Sequence, residues 1–105
     1  MTSRNMKISF ERSGGIGGFH IRVVLDTKEM SRLEIRVVTN LIEKASFFAL
    51  PSESKASTLA DPFNYEITVQ NGKQHIVKRY DDTIETQLRP LVEFLTNKAR
   101  QKDKS

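Results

Sequence analysis

A glycine run between two alternating segments limits the folds open to this chain more than any other feature. In Ser13-Gly14-Gly15-Ile16-Gly17-Gly18, four of the five glycines surround one isoleucine. Before it, Met6, Ile8 and Phe10 alternate with Lys7, Ser9 and Glu11; after it, Phe19, Ile21, Val23 and Leu25 alternate with His20, Arg22, Val24 and Asp26. Period two on both sides predicts two strands, each buried on one face. The run is then the tip of a hairpin. A tight hairpin needs one or two glycines for positive φ, and the surplus costs conformational entropy. Two readings follow: a mobile loop holding Ile16 out for a partner, or simply a loose turn.

After this hairpin the period lengthens to that of a helix. Ser31-Arg32-Leu33-Glu34 fits a capping box, with Met30 and Ile35 as its hydrophobic staple. Leu33, Val37, Val38, Leu41, Ala45 and Phe48 recur at helical spacing and predict a stripe facing the sheet. Arg32, Arg36, Asn40, Glu43 and Lys44 would face water. Pro51 ends the helix, and Phe47, Phe48 and Leu50 are expected to close the core there.

Residues 51–62 show no usable periodicity, and a structureless stretch of this length inside a small domain is usually functional or disordered. It ends on Asp61-Pro62, where the proline biases Asp61 toward an extended backbone. One carboxylate would thus be held at the end of a soft loop, two residues after Leu59. Asp61 is equally explained as an ordinary turn residue.

A second hairpin follows. Phe63, Tyr65, Ile67 and Val69 alternate with Asn64, Glu66, Thr68 and Gln70, and Asn71-Gly72 supplies the positions of a type I′ turn. That turn predicts Ile67 opposite Ile76 and Phe63 opposite Tyr80 on one face, with Thr68 opposite His75 and Glu66 opposite Val77 on the other. The return strand, 73–80, is less regular and fits a sheet edge. Asp81 or Asp82 then caps a second helix, with Asp82-Thr83-Ile84-Glu85 as a possible box. Ile84, Leu88, Leu91, Val92, Leu95 and Ala99 form its apolar stripe, and Pro90 either kinks it or delays its regular part.

The predicted fold is α+β in the order ββαββα: a four-stranded antiparallel sheet from two hairpins, with both helices packed on one face. Lys7, Ser9, Glu11, His20, Arg22, Thr68, His75 and Arg79 would occupy the uncovered face. At 105 residues the chain reads as a single domain over 6–97, after a disordered extension at 1–5 and before a flexible basic tail at 98–105.

Composition narrows the function. The chain has no cysteine, so neither a disulfide nor a thiolate metal site is open to it. Of the net charge of +4, Lys98, Arg100, Lys102 and Lys104 less Asp103 supply +3, leaving +1 for residues 1–97. A charge excess gathered in a tail, with no aromatic reader pair on any strand, argues against nucleic acid as a partner. No secretory signal or membrane span is expected, which makes the cytoplasm the expected address.

His20 and His75 fall on different hairpins without ligand spacing, no serine sits in a nucleophile elbow, and Gly15-Ile16-Gly17 opens a strand where a dinucleotide fingerprint would open a helix. No enzymatic activity and no cofactor of its own are expected.

Taken in order, Ile8-Ser9-Phe10-Glu11-Arg12-Ser13-Gly14-Gly15, Phe47-Phe48-Ala49-Leu50-Pro51, Asp61-Pro62-Phe63-Asn64-Tyr65-Glu66-Ile67-Thr68-Val69 and Leu88-Arg89-Pro90-Leu91-Val92-Glu93-Phe94-Leu95 resemble the emfourin family. The resemblance spans about Met6 to Leu95. It implies a small bacterial inhibitor of protealysin-like zinc metallopeptidases of the thermolysin family. It also implies two neighbouring flexible loops that block the target's active site, one offering an aspartate to the catalytic zinc and one placing apolar side chains in substrate subsites. Carried onto this chain, the binding residues would be Gly14, Gly15, Ile16, Gly17, Phe19, Leu59 and Asp61. Asp61 would meet the target's zinc, with Asp81 and Asp82 as rivals. The alternative is a non-enzymatic protein or peptide module that adds a strand at the 73–80 edge. A monomer is the default expectation for the free chain.

Overall fold

The computed structural model describes residues 5–103. Strands β1 (Lys7–Gly14) and β2 (Phe19–Asp26) form the first hairpin, helix α1 (Arg32–Lys44) follows, and strands β3 (Phe63–Gln70) and β4 (Gln74–Tyr80) form the second hairpin before helix α2 (Arg89–Asp103). The sheet is antiparallel with the order β2-β1-β3-β4, so β1 and β3 lie at its centre. This is the expected ββαββα arrangement. Ile8, Phe10, Val23, Ile67, Val69 and Val77 face one side and form one core with Val38 and Ile42 of α1 and Leu91 and Leu95 of α2.

The second hairpin departs from the expected register by one residue. Ile67 pairs with Val77, Thr68 with Ile76, Val69 with His75 and Asn64 with Tyr80. The cause is the turn: the ladder closes at Gln70 and Gln74, so Asn71-Gly72-Lys73 is a three-residue loop. Gly72 supplies its positive φ of 94°. Because side chains alternate with period two, that shift turns β4 over. Val77 and Arg79 go to the helix-covered side together with His75, and Ile76 goes to the open side. His75 and Arg79 are therefore not surface residues of the open face. The His75 ring packs against Phe47 and Phe48, and its Nε2 lies 2.7 Å from the Leu50 carbonyl. Arg79, only 5% exposed, meets Glu85 through two 2.9 Å bonds from Nε and Nη2.

Helix α1 begins as expected, with Ser31 Oγ accepting from the Glu34 amide and the Glu34 carboxylate accepting from the Ser31 amide. Its buried line differs from the expected stripe. Val38, Ile42 and Ala45 are inside, while Leu33 is 69% exposed and Val37 and Phe48 also face outward. Apolar residues occupy so much of this helix's circumference that periodicity leaves the phase open. Docking against α2 decides it, with Lys98 Nζ 2.9 Å from Glu34 Oε2. The helix also stops at Lys44, well before Pro51, because Ser46 turns left-handed at φ 51° ahead of a short 3-10 turn over Phe47–Ala49.

Helix α2 starts at Arg89, which puts Pro90 in the first turn, where its missing N–H costs nothing. The expected apolar stripe, Ile84 through Ala99, is buried throughout. Residues 98–103, expected as flexible tail, are the last turns of this helix, with Ala99 fully buried. Residues 1–4, most of the expected N-terminal extension, and 104–105 lie outside the described residues.

Candidate functional site

The ends of all four strands that carry the loops meet on one side of the sheet. Gly14 and Phe19 close the first hairpin there, Phe63 begins β3 opposite Gly14, and Tyr80 ends β4. The glycine loop and the end of the 51–62 segment are consequently neighbours. The Gly15 amide donates to the Pro62 carbonyl at 3.3 Å.

The glycine loop is a tight turn and its composition is a conformational demand. All four glycines have positive φ: 92° at Gly14, 75° at Gly15, 99° at Gly17 and 64° at Gly18. Gly18 donates to the Gly15 carbonyl at 3.2 Å, which closes a four-residue turn with Ile16 and Gly17 at its corners. Positive φ in the third position is what a type II turn requires. At Gly15 a Cβ would also stand 2.7 Å from the Phe63 ring. The surplus read from sequence as mobility or looseness is thus taken up by positive φ at all four positions and, at Gly15, by the approach of Phe63. Phe63 lies against the turn at Gly15, with the Arg12 guanidinium 4.4 Å from its ring centroid and the Tyr65 ring 6.5 Å away.

This packing leaves Ile16 at the apex, 84% exposed, with Phe19 at 65% beside it. Leu59, on the second loop, is 47% exposed, and Asp61 is exposed as well. These side chains have little to bury them within the chain. Among the described residues the Asp61 carboxylate has no hydrogen-bond or ion-pair partner.

The two rival aspartates are occupied. Asp81 Oδ2 accepts from the Phe63 amide at 3.1 Å and Oδ1 from the Tyr65 hydroxyl at 2.8 Å. Burial, with the Asp81 hydrogen bond and charge added, pushes the Tyr65 hydroxyl's pKa up. Asp82 Oδ2 accepts from the amide and hydroxyl of Thr58 at 2.8 and 3.0 Å, and Oδ1 from Ser57 Oγ at 2.8 Å. The Thr58 amide and then the Ser57 hydroxyl hold its carboxyl below the ordinary aspartate range. Neither aspartate caps α2. Thr83 adds a third tie, its Oγ1 accepting from Ser54 Oγ at 2.6 Å.

The 51–62 segment has no regular secondary structure, as expected, yet one turn, Asp81-Asp82-Thr83, holds it at several points. No local pattern signals this, because Ser57 and Thr58 lie 25 and 24 residues from Asp82. The segment also covers part of the β4 edge. Lys78 donates its outward amide to the Ser52 carbonyl at 2.9 Å, and the Tyr80 amide is taken by Thr83 Oγ1 at 2.7 Å. The edge expected to be open to an added strand is therefore filled at its 78–80 end.

His20 and Glu11 pair on the open face. Among the described residues no group of three or more His, Cys, Asp or Glu could hold a metal ion, and no helix is long and apolar enough to cross a membrane.

The domain thus packs its core on one side of an antiparallel sheet and holds two exposed loops together at one end. The chain belongs to the Emfourin family, whose sequence model matches residues 10–96. That is a family of protease inhibitors, and it gives the chain a metallopeptidase-inhibitor role and a protease as partner. No curated protein matches the chain, and no solved structure does.

Proposed function

We propose that this protein inhibits a protealysin-like zinc metallopeptidase of the thermolysin family by seating its two joined loops in the active-site cleft. Asp61 directs a carboxylate oxygen at the catalytic zinc, in the position such a metal keeps open for water or substrate, at ~2.0–2.2 Å. Ile16, Phe19 and Leu59 enter apolar subsites beside it. Gly14, Gly15 and Gly17 shape the turn that carries Ile16. The chain performs no chemistry of its own and needs no cofactor; the zinc belongs to the target.

The observation that carries this reading is the convergence of an exposed isoleucine and an unpartnered aspartate at one end of the sheet, in a member of an inhibitor family. The ties of Asp81 and Asp82 to the loop favour Asp61 over both rivals, since either would have to abandon several hydrogen bonds to reach a metal. Burying Ile16 contributes ~1.5–3 kcal/mol on its own.

The test is hydrolysis of a fluorogenic peptide by a purified protealysin-like enzyme, titrated with the protein. Stoichiometric loss of activity at nanomolar concentration is the expected result, together with displacement of the protein from the enzyme by a small zinc-directed inhibitor. Full activity in the presence of folded protein would refute the reading.

A further inference from the structure

The turn between β4 and α2 has no part in the contacts proposed above, yet its two carboxylates hold the loop that bears Asp61 and the start of β3 just after it. Asp82 accepts three hydrogen bonds from Ser57 and Thr58 on the near side of Leu59. Asp81 accepts from the Phe63 amide, two residues beyond Asp61, and from the Tyr65 hydroxyl on β3. The span between these two anchor points, 59–62, contains Leu59 and Asp61, and Pro62 is itself tied to Gly15. A segment without secondary structure is thus held at both ends by adjacent residues of one turn.

We propose that Asp82, with Asp81, is a positioning residue that fixes the 57–63 segment before any partner arrives and so presents Asp61 already placed for binding. The positioning role rests on the inhibitor reading above; the clamp itself is a property of the free protein. The physical reason is entropic. Residues ordered only on binding lower affinity in proportion to the fraction of time they are competent, so a loop competent a tenth of the time binds about tenfold more weakly. Asp82 is exposed and lies outside the core, so its substitution acts on the loop without opening the fold.

The experiment compares Asp82→Ala with the unmodified protein in two ways. In the free protein, hydrogen exchange at the amides of Thr58 and Leu59, which donate to Asp82 and to the Asp82-bound Ser57 hydroxyl, should accelerate about tenfold or more while that of β1 and β3 is unchanged. Against the protease, inhibition should weaken about tenfold. In an Asp61→Ala background the same change should alter inhibition by less than about threefold, because the group being positioned is gone. Asp82→Asn, which keeps an acceptor for the Thr58 amide, should recover part of the loss.

Unchanged exchange at Thr58 and Leu59 would overturn the clamp. Fully additive effects of Asp61→Ala and Asp82→Ala would overturn the positioning role and leave a general stability effect. If the unmodified chain inhibits no thermolysin-type enzyme, the functional reading fails and the positioning role with it, while the exchange measurement still decides the clamp.

Discussion

The Gly15 amide donates to the Pro62 carbonyl at 3.3 Å, one residue before Ile16 on the first loop and one residue after Asp61 on the second. Two segments almost fifty positions apart in the chain thereby present one apolar and one acidic side chain from a shared backbone contact. Central pairing of β1 with β3 makes this possible, since it brings the tip of the first hairpin to the start of the second.

Removing the carboxylate tests the acidic half of that presentation. Asp61→Ala should weaken inhibition roughly thirty- to a thousandfold, the range of a ~2–4 kcal/mol hot spot. Asp61 is exposed and without a partner among the described residues, so the unfolding free energy should stay within ~1 kcal/mol. An inhibition constant equal to that of the unmodified protein would remove Asp61 from the mechanism.

The apolar half is tested by Ile16→Gly. Inhibition should weaken by about tenfold to a hundredfold, in line with ~1.5–3 kcal/mol for burying that side chain. At 84% exposure Ile16 contributes almost nothing to the fold, so the melting temperature should hardly move. A large drop on thermal denaturation would show that Ile16 packs within the protein.

Two glycines of one turn should respond differently to the same substitution. Gly15→Ala forces a Cβ to 2.7 Å from the Phe63 ring at φ 75° and should cost ~1–3 kcal/mol. At Gly18 the φ is 64° but the space is open, so alanine there should cost only ~1 kcal/mol. Paired urea melts measure the difference. Equal costs would mean that Phe63 yields and that its contact does not hold the turn.

Arg79 and Glu85 should give stability a dependence on pH. Hydrogen bonds from Arg79 hold the Glu85 carboxyl below its ordinary value of 4.5, against an opposing effect of burial. A folded pKa below the unfolded one contributes stability that is fully present above about 4.5 and lost as pH falls through the lower folded value. Glu85→Gln leaves a buried guanidinium without its counter-charge. The loss at pH 7 should be ~1–3 kcal/mol, below the usual range for a buried pair because the Glu85 side chain is 33% exposed. Denaturant melts at pH 7 and pH 3 should show the gap between variant and parent closing in acid.

The exposure of the two loops was readable along the chain. The excess of glycine around Ile16 and the proline after Asp61 are local signals, and both mark segments that the fold leaves exposed. The reading of looseness left out what composition does not show: positive φ at all four glycines, and the Phe63 ring against Gly15. The roles of Asp81 and Asp82 misled for a related reason. Placed before an apolar stripe they look like helix caps, but the helix starts only at Arg89, and the carboxylates bond residues far back in sequence, Asp82 on the loop and Asp81 at the start of β3.

What the sequence determined alone follows from local periodicity and short-range geometry: six elements, their type and order, the capping box at Ser31, the buried stripe of α2 and the two loops without regular structure. These depend on interactions within a few residues, which the order of residues states directly. Tertiary structure decided the facing of β4, the phase of α1 and the joining of the loops. A third residue in the turn after Gln70 sends Arg79 inward, and contact with α2 chooses among the apolar positions of α1. The pairing of β1 with β3 sets Pro62 beside Gly15. Each is a long-range choice between local alternatives of similar energy, made by the packing of elements that the chain itself keeps apart.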